Sequence, residues 1–190
     1  MMTTAGSLPI QDNWINNRFG SKKGMLNYTL FETKRLIGQY SSLIVKPNLR
    51  PQRLVFVCVG NICRSPLAEA VATTLGYNAI SYGLDTRGGD QADPRAISFG
   101  NSIYVDLVNH KTRKIDEYCA KDGDLLVCME PKHLRILEKL GNRTPVTLLG
   151  LYGVKPCAYL HDPYNSRPSF FNHCESKVAA ATKALIDHVT

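Results

Sequence analysis

The segment Val57-Cys58-Val59-Gly60-Asn61-Ile62-Cys63-Arg64-Ser65-Pro66, which continues the apolar run Leu54 to Val57, constrains this chain more than any other. A loop of five residues between Cys58 and Arg64, closing between the end of a strand and the start of a helix, can turn several backbone N–H groups inward around one tetrahedral anion. Cys58 then lies beneath the anion and Arg64 beside it. The N–H groups, the positive end of the following helix and the guanidinium all favour a thiolate over a thiol, so the spacing predicts a nucleophile at neutral pH.

The 190 residues suffice for one α/β domain with a real core and a modest appendage. A 44% hydrophobic and 21% charged composition is that of an ordinary soluble protein, and no apolar run approaches the length of a membrane span. Asp12, Asn13 and Trp14 interrupt any signal-peptide core, and six scattered cysteines are too few for a secreted disulfide framework. The expected location is the cytoplasm, where thiols stay reduced. Cys58 and Cys63 are closely spaced, but Cys119, Cys128, Cys157 and Cys174 supply no second pair for zinc, so no metal and no cofactor is expected.

The net charge of +7 is uneven. Residues 1–50 carry seven basic side chains against two acidic ones, a balance of +5. No nucleic-acid motif accompanies this charge, so it reads as a solvated face or a surface for an acidic partner, and nucleic acid is not expected.

From residue 54 onward, short apolar runs alternate with longer amphipathic ones, the pattern of β-α units on a parallel sheet. Strands are expected at 54–59, 79–82, 124–129 and 145–149. Helices are expected after Ser65-Pro66, which reads as an N-cap followed by a first-turn proline, after Asp93-Pro94, after Pro131 and across 169–189. Residues 112–120 carry a helical mix. In the basic extension, residues 1–52, a helix is expected from Met25 to Tyr40, with Leu26, Leu30, Leu36, Ile37 and Tyr40 on one stripe and Lys34 and Arg35 facing water. Packing of that helix on the domain, dimerisation, and docking to a partner or an anionic membrane all remain open.

The stretch 57–70 together with Asp162-Pro163-Tyr164 resembles the low-molecular-weight protein tyrosine phosphatases, closer to the bacterial branch. Ala92-Asp93-Pro94-Arg95-Ala96, His110-Lys111-Thr112-Arg113 and Leu126-Val127-Cys128-Met129-Glu130 continue the likeness through a domain at 53–190, and residues 1–52 fall outside it. The resemblance implies a three-layer flavodoxin-like sandwich with a four-stranded parallel sheet, here with an N-terminal helical extension. It also implies a metal-free mechanism in which Cys58 attacks phosphorus and forms a phosphocysteine that water hydrolyses. Arg64 holds two phosphate oxygens, and Asp162 protonates the leaving phenolate and later activates water.

The phosphate loop in this reading is Val59, Gly60, Asn61, Ile62, Cys63, Arg64 and Ser65. Ser65 hydrogen-bonds the Cys58 sulfur, while Asn61 and Gly60 supply left-handed backbone. Cys63 is either a reversible disulfide partner for Cys58 or a small buried filler. Ile62 and Tyr164 line the slot for an aromatic ring, with Leu84 as the opposite wall or Arg87 reaching acidic residues beside a phosphotyrosine. His110 and Arg113 are expected to tie the sheet together, and His161 reads as a neighbour that tunes Asp162 or as a surface histidine.

The implied partner is a phosphotyrosine protein, with a bacterial tyrosine kinase of polysaccharide export as the candidate. Two other readings compete. An arsenate reductase would need a cysteine relay, yet Cys119 and Cys128 fall at a helix end and in a strand. An idle phosphotyrosine-binding adaptor would be signalled by loss of Cys58, Arg64 or Asp162, and all three are present.

Overall fold

Leu54, Phe56 and Cys58 point to one side of the first strand, β1 (Arg53–Cys58), and Val55 and Val57 to the other, and all five are buried. A strand buried on both faces belongs in the middle of a parallel sheet covered by helices on each side. The computed structural model describes residues 10–47 and 49–190 and bears this out. β2 (Ala79–Gly83), β1, β3 (Asp124–Cys128) and β4 (Val146–Leu148) form one parallel sheet in the order β2-β1-β3-β4. Arg53 pairs with Asp124 and Cys58 with Gly83, so the C-terminal ends of β1, β2 and β3 lie side by side. Residues 1–9 and 48 of the predicted extension lie outside the described residues.

The helices are α3 (Arg64–Thr74), α4 (Pro94–Ser102), α5 (Pro131–Lys139) and α6 (Pro168–Val189). Leu67, Ala68 and Val71 of α3 and Phe171, Val178 and Leu185 of α6 cover one face of the sheet. Leu137 of α5 joins Val55, Val57, Leu126 and Leu148 on the other. Asp93 caps α4 through Arg95 N–H, as Asp-Pro predicts. Residues 112–120 hold no α-helix: Lys114 bridges to Gly83 beside β2, and only a short 3-10 turn, Ile115–Glu117, follows.

The extension contains two helices, α1 (Ile10–Phe19) and α2 (Lys22–Leu36). The expected stripe on α2 is wrong. Leu26, Leu36 and Ile37 are 67%, 71% and 75% exposed, whereas Gly24 is buried and Tyr28 and Phe31 pack on the domain. Positions 24, 28 and 31 also share a helical stripe, and its two aromatic rings meet Tyr159 and His161, a larger contact than the leucines find. Arg35 does not stand free in water but pairs with Glu32 at 2.5 Å. Only Tyr40, beyond the helix end, is buried as expected.

Residues 43–45 form no strand. Thr147 in β4 donates its hydroxyl to Leu43 O at 2.7 Å, while Val45 N–H reaches Tyr152 Oη at 2.9 Å and Val45 O accepts from His188 Nε2 at 2.7 Å. These bonds lay the extension along the open side of β4. Among the described residues no helix is long and apolar enough to cross a membrane.

Candidate active site

β1 delivers Cys58 to the C-terminal edge of the sheet, where open α/β folds bind ligands, and residues 59–63 turn there into α3. Ser65 is not the helix N-cap. Cys63 occupies that position and offers no side-chain cap. The N–H groups of Val59, Gly60, Ile62, Cys63 and Arg64 have no acceptor among the described residues, which leaves a cradle of donors at a helix N-terminus. Ser65 instead sits within the first turn, its Oγ 3.0 Å from Cys58 Sγ.

Asn61 sets the loop. Its φ of +55° lies in the left-handed region, which asparagine tolerates better than most residues, and its N–H donates to Cys58 Sγ at 3.3 Å. The buried amide donates to Ser65 Oγ at 2.9 Å and Ser81 Oγ at 2.7 Å and accepts Arg113 N–H at 2.8 Å. Burial lowers the affinity of His110 for a proton, and its neutral ring donates from Nε2 to Asn61 O at 3.0 Å. Arg113 also pairs with Glu69, which accepts from Ser81 Oγ. His110 and Arg113 therefore both brace the loop, and Arg113 alone also ties to the sheet, its carbonyl accepting Gly83 N–H. Gly60 differs from expectation: its φ is not left-handed, and glycine serves there by leaving space, because a Cβ would meet Ile62 Cγ1 at 3.3 Å.

Arg64 is buried, and its guanidinium is held by three groups. Nη1 donates to Glu130 Oε1 at 2.7 Å and to Leu160 O at 3.0 Å, and Nη2 lies 2.9 Å from Asp162 Oδ2. Burial alone would lower the basicity of Arg64, but Glu130, Asp162 and Cys58 outweigh it and hold it above its ordinary value. Among the described residues Nε–H and one Nη2 hydrogen remain for an oxyanion, a fork suited to two phosphate oxygens. Cys63 is buried and free, and desolvation pushes its thiol up, so it remains protonated.

Cys58, Val59, Gly60, Ile62, Cys63, Arg64, Asp162 and Tyr164 line one cavity of about 480 Å³. Its far wall is Asp85, Thr86, Arg87 and Asp90. Leu84 is absent from it. That side chain packs on the opposite face of the sheet with Val55 and Tyr82, because alternation along the chain leaving β2 turns it away. Of the two residues expected on that side, Arg87 lines the cavity and Leu84 does not.

Two contributors were not singled out from sequence. Glu130, fully buried, follows β3 at the same sheet edge, and a charge directly after the apolar run Leu125 to Met129 was the available signal. Arg95 bridges Asp93 to Tyr164 O at 2.6 Å and Ser166 O at 3.1 Å while covering the Phe171 ring at 4.4 Å, so it tethers the segment that carries Asp162. Nothing local predicts that reach. His161 is not a surface residue but buried. Among the described residues no group of three or more His, Cys, Asp or Glu could hold a metal ion. The arrangement can hold a tetrahedral oxyanion in backbone donors and a guanidinium, with a sulfur beneath it and a carboxyl group at its side.

The family described as "Low molecular weight phosphotyrosine protein phosphatase" matches residues 53–190. The chain is 31% identical over 153 residues to a protein of that description from Sus scrofa, covering 72% of this chain and 94% of the relative. It is 33% identical over 123 residues to the low molecular weight protein-tyrosine-phosphatase Wzb of Salmonella typhi, covering 62% and 81%. Among solved structures, Vibrio vulnificus Wzb in complex with benzylphosphonate superposes with a TM-score of 0.62 at 28% identity, covering 70% of this chain and 96% of that one.

Proposed function

This chain belongs to the low molecular weight phosphotyrosine protein phosphatases and is a hydrolase of the protein-tyrosine-phosphatase class, and on that premise we propose that it hydrolyses phosphotyrosine through a phosphocysteine formed on Cys58. The observation that carries the reading is the convergence of Cys58, Arg64 and Asp162 on one cavity floored by unpaired backbone donors. A phosphotyrosine enters with its phosphate in the loop and its ring between Ile62 and Tyr164. The Cys58 thiolate attacks phosphorus in line, the P–O bond to the ring breaks, and the departing phenolate takes its proton from Asp162. The loop N–H groups and Arg64 stabilise the charge on the equatorial oxygens.

Water then attacks the phosphocysteine, gives a proton to the Asp162 carboxylate, and releases phosphate with the thiolate. The Ser65 hydroxyl, 3.0 Å from Sγ, donates to the departing thiolate. Glu130 acts through Arg64, holding Nη1 so that the other edge of the guanidinium meets the substrate. The incoming phosphate competes with Asp162 for that guanidinium, which releases the carboxyl group toward the leaving oxygen.

A phosphoserine, whose alkoxide chain is shorter and cannot fill the slot between Ile62 and Tyr164, is the poorer substrate. The proposed partner is a phosphotyrosine protein, and the candidate is a bacterial tyrosine kinase of polysaccharide export; a cytoplasmic location accords with that reading. The test is hydrolysis of a phosphotyrosine peptide in EDTA by the wild type and Cys58→Ser, with a phosphoserine peptide as control. Turnover of phosphotyrosine alone, lost in the variant, is expected. No turnover by folded, reduced wild type would refute the assignment.

A further inference from the structure

The family match begins at residue 53, so α1 and α2 lie outside it, yet they touch the segment that ends at Asp162. His161, immediately before Asp162, is enclosed by four rings. Tyr28 of α2 stacks on it with centroids 5.7 Å apart and planes 9° apart, and Phe19 at the end of α1 lies 6.0 Å away. Tyr159 at 4.7 Å and Phe170 at 5.5 Å close the cage edge-on. Two walls thus come from the extension and two from the domain. Phe31 of α2 stacks on Tyr159 at 5.6 Å and holds one of the domain walls in turn.

The α1–α2 junction is shaped to this contact. Gly20 has φ +72°, and a Cβ there would meet Phe170 at 2.7 Å. At Gly24 a Cβ would run into Phe19 O at 2.1 Å and approach His161 Nδ1 at 3.3 Å. Ser21 caps α2 by accepting Gly24 N–H at 2.9 Å, fixing the turn. Burial, reinforced by Lys177, pushes His161 down to about 4, so the cage encloses an uncharged ring at neutral pH.

Among the described residues the backbone of the segment is hydrogen-bonded to the rest of the domain at its flanks. Leu160 N–H bonds to Met129 O at 3.0 Å on one side, and Arg95 holds Tyr164 O and Ser166 O on the other. Between these anchors Asp162 is exposed and its carboxylate meets Arg64 Nη2 at 2.9 Å; once phosphate takes that guanidinium, the position of Asp162 follows from the backbone of His161. By contrast, Asn61 and Arg64 of the phosphate loop bond to Ser65, Ser81, His110, Arg113 and Glu130, none of them in the extension.

We infer that the N-terminal extension positions the proton donor: Phe19 and Tyr28 clamp His161 and thereby hold Asp162 where it can protonate the leaving group. Phe19 and Tyr28 are positioning residues, and the inference rests on Asp162 being the general acid. It separates two demands on the enzyme. Binding and attack at phosphorus depend on the loop, while cleavage of an unactivated aryl ester also depends on the extension.

The test compares kcat/KM for phenyl phosphate, whose leaving group needs a proton, with that for 2,4-dinitrophenyl phosphate, whose leaving group does not. Full-length wild type, Tyr28→Ala, Tyr28→Phe, Phe19→Leu and Asp162→Asn are measured, with competitive inhibition by inorganic phosphate reporting loop integrity. Tyr28→Ala should lose about tenfold on phenyl phosphate and under about twofold on the activated ester, a fraction of the 10²–10⁴ available from general acid catalysis. Phosphate inhibition should be unchanged. Tyr28→Phe, which keeps the stacking ring, should restore the wild-type ratio, and Phe19→Leu should fall between.

If Asp162→Asn shows the selective loss while the cage variants lose both substrates equally, or neither, the extension does not position the acid and the inference is overturned. If Asp162→Asn itself shows no selectivity, the general-acid reading fails and takes this inference with it.

Discussion

Replacing Asn61 by alanine should unravel the phosphate loop, and the cost can be worked from its bonds. The amide makes three hydrogen bonds, to Ser65 Oγ, Ser81 Oγ and Arg113 N–H, all within 2.9 Å and made by a fully buried side chain. At about 1 kcal/mol net each they amount to about 3 kcal/mol, since each deletion strands a partner. The left-handed φ of +55° adds about 1 kcal/mol for a residue with a plain Cβ. The expected loss is therefore about 4 kcal/mol, a large share of the stability of an ordinary domain.

Urea unfolding at neutral pH measures this, and the phosphate inhibition constant and kcat/KM report the loop. A misplacement of about 1 Å is enough for a loss of about 10² in kcat/KM. Asn61→Gly tests the division between bonds and backbone. Glycine relieves the φ strain but not the missing bonds, so it should recover no more than about 1 kcal/mol. If Asn61→Ala unfolds within about 1 kcal/mol of wild type and binds phosphate normally, the loop is not held by this amide and the reasoning fails.

Glu175 is buried in α6 with both carboxyl oxygens lacking a hydrogen-bond partner among the described residues, and burial first, then Asp93 and Asp162, push it up to about 8 against the pull of Arg64. The folded chain then keeps a proton that the unfolded chain releases, so stability present at acid pH is lost as pH rises toward 8. Glu175→Gln removes that dependence, and its advantage over wild type in chemical unfolding should grow by about 3 kcal/mol between pH 5 and 8; a constant difference would contradict this protonation. Arg64→Lys keeps the charge but loses the fork and the grip of Glu130, and should lower kcat/KM for a phosphotyrosine peptide by about 10²–10³ with the fold intact by circular dichroism. A loss under tenfold would mean that charge alone suffices.

Most elements were legible because their signals are local. The four strands and α3 to α6 lie within a few residues of their expected positions, each marked by an apolar run, a proline in the first turn or a glycine stop. Ser65 was misread as a cap because Ser-Pro is a common helix opening. The helix opens two residues earlier, and the hydroxyl is turned to sulfur instead. The extension was read least well. Counting apolar residues favoured the Leu26 stripe, but aromatic partners on the domain selected the Tyr28 stripe, and a sequence pattern for one helix carries no information about the surface that will receive it.

By itself the sequence determined the loop between β1 and α3, because Cys58, Asn61 and Arg64 lie on one short stretch of chain, where bond geometry and φ/ψ limits leave little choice. It determined the parallel sheet as well, through runs that must be buried on both faces. Only the tertiary structure decided what surrounds that loop. Register brings Glu130 to Arg64 across 66 residues, side-chain alternation turns Leu84 away from the cavity, and the extension closes on His161. These contacts join residues far apart in the chain, so their identity follows from how whole elements pack and not from any spacing along the sequence.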